Sequence, residues 1–149
     1  MPNWITLTKT DLYNSKAAAL IDAADSVSLG VSQTGRSTGV IADVTLEIRR
    51  RVSKCNQLDQ NPAAIPAGLK PLAIDLVYCR LKNALELALT DDERWFLKQR
   101  EIQLDRIADG RDLVEPPDNP ITANFTQTIP SPKFGRGRLR EFTRRNQNG

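Results

Sequence analysis

Apolar and polar positions divide the chain into a series of helical stretches followed by a long segment with no period. The densest apolar stretch is Pro66 to Leu89, PAGLKPLAIDLVYCRLKNALELAL. Set out at about 100° per residue, Leu72, Leu76, Asn83 and Leu87 fall on one side, with Ala73, Val77, Arg80 and Ala84 beside them. Ile74, Tyr78, Leu81 and Leu85 cover the opposite side, which leaves Asp75, Lys82 and Glu86 as the wet stripe. A helix this apolar is the centre of a domain, is covered in part by another chain, or both. Pro71 is tolerated in a first turn or at a kink, so the regular helix starts near Leu69 to Pro71 or bends there. Arg80 lies among apolar neighbours, where a charge needs a partner or a wet exit. Its stem packs while its head reaches water, or it forms a salt bridge across a subunit boundary.

Residues 40 to 55 place Ile41, Val44, Ile48, Val52 and Cys55 at spacings of three and four, one helical face. The other face carries Asp43, Glu47, Arg50, Arg51 and Lys54, acids early and bases late, as the helix dipole favours. Glu47 and Arg51 are spaced as an i, i+4 pair. The run Arg49, Arg50, Arg51 therefore reads first as a solvated face, then as a contact with a partner protein or with DNA. Thr90-Asp91-Asp92-Glu93 is a capping box opening a helix from 91 to about 109. There Phe96, Leu97, Leu104, Ile107 and Ala108 share one face, while Trp95 and Ile102 lie on a different one. A second apolar face needs a second cover, either a neighbouring copy or the chain's own N-terminal segment or tail. Nearer the start, Thr8 to Asp11 resembles a capping box for a short helix. Ser15 can cap a second short turn or helix through KAAALIDAA, with Leu20, Ile21 and Ala24 as its apolar edge. Residues 26 to 39 read as a loop, and their GRSTG lacks the spacing of a phosphate-binding loop. Asn56 to Ile65 reads as a second loop, and Gly110 as a helix stop.

At 149 residues a single domain with a real core is expected. No apolar run of about 18 residues suggests a membrane span, and MPNWITLTKTDL lacks the pattern of a secretory leader. Cys55 and Cys79 stand alone, so two packed thiols in a reduced cytosolic setting are expected rather than a disulfide. The chain has no histidine, the commonest metal ligand and neutral-pH base. Acidic pairs such as Asp22 with Asp25 and Glu101 with Asp105 are better read as helix-surface charge than as a site. No nucleophile, base and orienter set is visible, and we expect neither enzyme activity nor a cofactor or metal.

Charge is uneven: residues 1–114 carry fifteen bases and fifteen acids, and residues 115–149 carry six against three. Two segments follow: a helical body over 1–114 and an extended, proline-rich, basic arm over 115–149. The arm has five prolines and little with which to build a core, and is expected to order only against a partner. Fully stretched, about 35 residues reach on the order of 115 Å. Lys133, Arg136, Arg138, Arg140, Arg144 and Arg145 alternate with Phe134, Leu139 and Phe142. Such a pattern suits nucleic acid, or an arm whose apolar residues fill a partner's pockets while its arginines pair with acidic rims.

Three stretches are similar, in order, to a known family. They are GVIADVTLEIRRRV at 39–52, IPAGLKPLAIDLVYCRL at 65–81, and LDRIADGRDL at 104–113 with FGRGRLREF at 134–142 downstream. Together they resemble the small helical head-to-tail connector (neck adaptor) proteins of tailed bacteriophages, in particular the Mu-like group. Two features depart from that pattern: the Ser, Thr and Gly content of the loop before Val40, where relatives often carry acids, and the basic run after Phe142. The resemblance implies an all-α fold, a small bundle of about four helices with a long extended C-terminal arm. It also implies a ring of about twelve copies docked beneath the portal protein and joined on the tail side to an adaptor, stopper or tail terminator. Double-stranded DNA would pass through the ring, and the protein would sit at the head-tail junction of the virion after assembly in the host cytoplasm, without contact with a membrane.

On that basis the subunit or portal interface is expected at Arg80, Trp95, Ile102, Phe125, Phe134, Arg136, Arg138, Leu139 and Phe142. The face toward channel or DNA is expected at Arg49, Arg50 and Arg51. Deleting 119–149 should leave a folded helical monomer that no longer attaches. The alternative is a small helical DNA-binding or packaging-associated phage protein, whose affinity would fall steeply with salt.

Overall fold

The computed structural model describes residues 1–26 and 35–121. Among them the fold is mostly helical: α1 (Lys9–Tyr13), α2 (Ala18–Ala24), α3 (Arg36–Val52), α4 (Lys70–Ala84) and α5 (Asp91–Ala108). To these is added a small antiparallel sheet of β1 (Trp4–Thr6) and β2 (Ala64–Pro66), registered Trp4 to Pro66, Ile5 to Ile65 and Thr6 to Ala64. The sheet is a departure from the all-α expectation. Strands of three residues are too short to show alternation, and Pro66, with no N–H to give, sits at a strand end where it does no harm.

α4 is the central rod. Leu72, Ala73, Leu76, Val77, Cys79 and Leu81 are buried, and of its residues only Pro71 and Asn83 are exposed. A 3-10 turn, Ala67–Leu69, leads into it, and Pro71 stands in the first turn as expected. The cover for this rod comes from its own chain: α2, α3 and α5 all pack on it. Its four charges tie those neighbours down. Lys70 pairs with Asp11 of α1, and Asp75 with both Lys16 and Arg100 of α5. Arg80 pairs with Glu47 of α3, and Lys82 with Glu93 of α5. Asp75 and Lys82 of the expected wet stripe are thus clamps, while Glu86 lies exposed beyond the helix end, and α4 itself needs no sister molecule to sheathe it.

α4 stops at Ala84, five residues before the expected end. Leu87 N–H reaches back to Lys82 O (2.9 Å) and Glu86 N–H to Asn83 O (3.1 Å), with Glu86 at φ 56°. This is a Schellman closure with a glutamate where glycine is usual. α5 ends the same way with the usual residue: Gly110 at φ 71° and Arg111 N–H on Arg106 O (2.9 Å).

Both capping boxes form. Thr8 and Asp11 cap α1, and Thr90 and Glu93 cap α5. Ser15 Oγ accepts from Ala17 N–H (3.2 Å) in the turn before α2, where Ile21 and Ala24 are buried. α3 starts at Arg36, so the end of the expected 26–39 loop is its first turn. Its cap comes from far along the chain: Asp25 accepts from Ser37 N–H (3.0 Å) and Ser37 O–H (2.6 Å), and pairs with Lys9 (2.7 Å). Burial, the strongest influence on this carboxyl, pushes its pKa up, but the bonds from Lys9 and Ser37 together hold it at about 2.

Ile41, Val44, Ile48 and Val52 face the core as their spacing requires. Cys55 does not, because α3 ends at Val52. The thiol is exposed and donates to Ala108 O (3.1 Å), while Cys79 is buried and both cysteines are free. Burial raises the Cys79 thiol's pKa, which leaves it an inert packing group.

The body also runs further than expected. After Gly110 the chain turns back across the sheet, where Val114 packs on the core and Glu115 O accepts from the Trp4 indole N–H (3.0 Å). Asp118 accepts from the backbone N–H of Asn3 (2.8 Å) and Trp4 (3.1 Å). Asn119 and Ile121 are bonded to Gln60 and Leu58 of the loop before β2. Residues 115–121, assigned to the arm on composition, are therefore held by polar contacts, which hydrophobic patterning does not register. The rest of the expected arm, with Phe125, Phe134, Arg136, Arg138, Leu139 and Phe142, lies outside the described residues.

Candidate interaction surfaces

The three consecutive arginines of α3 go to three different places, because successive helical residues are about 100° apart. Arg49 turns inward and is 7% exposed. Its guanidinium donates to the carbonyls of Asn61 (2.8 Å), Ala64 (2.7 Å) and Asp59 (2.8 Å), and its Cζ lies 5.6 Å from the Trp4 ring centre. Burial lowers its pKa and the nearby Asp59 charge opposes that shift. The Asp59 carboxyl is lowered in turn, by backbone N–H donors from Asn61 and Asn119. Arg49 is thus the pin that joins α3, the 56–63 loop, β2 and, through Trp4, β1. It is unavailable to DNA or to a channel, contrary to the expectation that grouped it with its neighbours.

Arg51 pairs with Asp105 of α5, and Glu47 with Arg80 of α4, so the expected Glu47 to Arg51 pair is replaced by two links between helices. Arg80 thereby has its partner within its own chain. Arg50 is exposed, in a strip along α3 with Asp43, Leu46 and Lys54. Leu46 is 68% exposed, a position that the apolar face of α3 does not reach.

The N-terminal half of α5 is the other open surface. Glu93 sets its rotation, accepting from the Tyr78 hydroxyl (2.8 Å) and from Lys82 (2.8 Å). The Lys82 bond, foremost, holds the Glu93 carboxyl at about 2 and raises the Lys82 ammonium. With Glu93 toward α4, Leu97, Arg100, Leu104 and Ile107 follow on that side. Trp95 (58% exposed) and Phe96 (54% exposed) are left outside, packed edge to face with ring centres 5.2 Å apart. Ile102 is exposed on the side of Trp95, as expected. Phe96 was placed on the buried face by its spacing; the inward face is half polar, and spacing of apolar residues alone misjudged its centre.

A groove of about 470 Å³ lies on the other flank of α3, lined by Leu7, Thr38, Ile41, Ala42, Thr45, Leu46, Pro62 and Ala63. Among the described residues no buried side-chain nitrogen or oxygen lacks a partner, and no cluster of three metal-ligating side chains occurs. No helix there is long and apolar enough to cross a membrane. No family model, curated protein or solved structure matches the chain.

Proposed function

We propose that this protein is a structural head-to-tail connector of a tailed bacteriophage. It forms a ring of about twelve copies beneath the portal, joins the DNA-filled head to the tail-side adaptor, stopper or tail terminator, and lines the path by which double-stranded DNA leaves. The three ordered stretches quoted above support the reading by their resemblance to that family. The observation that carries the reading is the second apolar face of α5, where the edge-to-face pair of Trp95 and Phe96 stays open with Ile102 on the same helix. An open aromatic pair on a rigid helix suits permanent attachment to another protein better than turnover of a small molecule. Arg50 remains as an open cation for the channel side, whereas Arg51 is paired with Asp105 of its own chain. Arg49 and Arg80, both held within the chain, are withdrawn from the channel and interface sets.

The test is attachment to DNA-filled, portal-bearing heads that lack a connector. Because residues 119–121 belong to the body, the informative truncation ends at Ile121. The full chain should sediment with the heads and restore tail joining, and the 1–121 variant, with unchanged far-UV circular dichroism, should do neither. Equal joining by the truncated chain would remove the role of the arm. Failure of the full chain to bind heads would remove the connector assignment.

A further inference from the structure

The segment that returns from α5 across the sheet is attached differently from the helices beneath it. From Arg111 to Ile121 not one residue is buried, and Leu113 (94% exposed) and Ile121 (46% exposed) face water. Within it, Val114 packs on the hydrophobic core. The rest of its hold is polar. Glu115 O accepts from the Trp4 indole N–H (3.0 Å), and the Asp118 carboxylate accepts from the backbone N–H of Asn3 (2.8 Å) and Trp4 (3.1 Å). Asn119 N–H donates to the Asp59 carboxylate (2.9 Å), Gln60 N–H to Asn119 O (2.8 Å) and Ile121 N–H to Leu58 O (2.9 Å). Hydrogen bonds at an open surface exchange readily for bonds to water, while ordering about ten residues costs conformational entropy. The upstream end is a pivot: Gly110, just past α5, stands at φ 71°, a region glycine enters without strain. Pro116 and Pro117 stiffen the middle, which favours release in one piece over fraying.

We propose that residues 111–121 form a releasable strap, which swings off the sheet about Gly110 while the helices stay folded. Opening moves the root of the C-terminal segment from Ile121 back to Gly110. That adds about eleven residues of reach, roughly 35 Å at full stretch. It also uncovers the Trp4 indole edge, the N–H groups of Asn3 and Trp4 and the Asp59 carboxylate, all of them engaged while the strap is closed. The core survives the change, because Arg49 stays over the Trp4 ring and β1 stays paired with β2. A pull on the chain beyond Ile121 favours the longer, open form. On the connector reading a portal-held arm supplies that pull, but the opening itself goes beyond that reading and does not depend on it.

The test is hydrogen exchange on the full chain, read residue by residue by NMR. The amides of Gln60, Asn119 and Ile121 and the Trp4 indole N–H report on the strap, and the amides of Leu76, Val77 and Leu81 on α4. The strap group should exchange together, about 100-fold or more faster than the α4 group and still slower than unprotected amides. About 1 M urea should speed the α4 group, which opens by global unfolding, and leave the strap group nearly unchanged, because release exposes little surface. Strap protons that share the rates and urea slope of α4 would mean that the strap opens only with the whole body, and would overturn the proposal. Strap protons with no protection, or with unrelated rates, would overturn it too, the first because there is no closed form to release and the second because the segment frays. None of these outcomes bears on whether the full chain binds heads, so the connector reading stands or falls separately.

Discussion

Arg49 and Arg50 are neighbours in sequence with opposite roles, and their substitution separates them. Arg49→Ala strands the buried carbonyls of Asn61, Ala64 and Asp59 and removes the cation from the Trp4 ring. A loss of about 3 kcal/mol or more is expected, whereas Arg50→Ala on the open strip should stay within about 0.5 kcal/mol. Urea titration reads both, and equal losses would contradict the division. Asp25 and Glu93 make a second prediction. Each carboxyl sits at about 2 in the folded chain against ordinary values of 3.8 and 4.5. A depressed folded pKa means that the native state favours the charged form. The stabilisation is complete above the ordinary values and is lost as pH falls through them toward 2. The urea midpoint should be level above about pH 5 and decline steadily below it; a midpoint unchanged down to about pH 3 would contradict the assignment of these two clamps.

The ends of α4 and α5 offer a matched pair. Both close through a residue at positive φ, but one is Glu86 and the other Gly110. A side chain in that region costs roughly 1 to 2 kcal/mol, part of which glycine returns through its greater freedom in the unfolded chain. Glu86→Gly should therefore stabilise by about 0.5 to 1 kcal/mol, raising Tm by a few degrees. Gly110→Ala should destabilise by at least about 1 kcal/mol, because its added Cβ would also stand 3.3 Å from Cys55 Sγ. Opposite shifts in thermal unfolding check the pair. The two helix ends also show what a sequence can tell. Gly110 was readable as a stop because its residue type matches its conformation, and Glu86 was not because its type conflicts with it. α3, α4 and α5 were legible from spacing, and the capping boxes from three-residue motifs. The β-strands were too short to show a period. The polar pin at Arg49, the remote cap by Asp25 and the return of 114–121 are long-range contacts for which no local pattern exists. Of the candidate surface, Trp95 and Ile102 were readable as a second apolar face. Phe96 and Leu46 required the helix rotations that Glu93 and Arg49 impose.

Taken together, α4 is enclosed by its own chain, so the body has the makings of an independent folding unit, and what remains for other molecules is at its surface. On the connector reading proposed above, the open Trp95–Phe96 pair of α5 is where the body would touch a neighbour or the portal. The most direct measurement is the mass of the full chain, by native mass spectrometry, alone over a range of concentrations and then with purified portal. We predict a single closed ring species, of about twelve copies, that persists on the portal. A chain that stays monomeric at every concentration and with portal present would contradict the account.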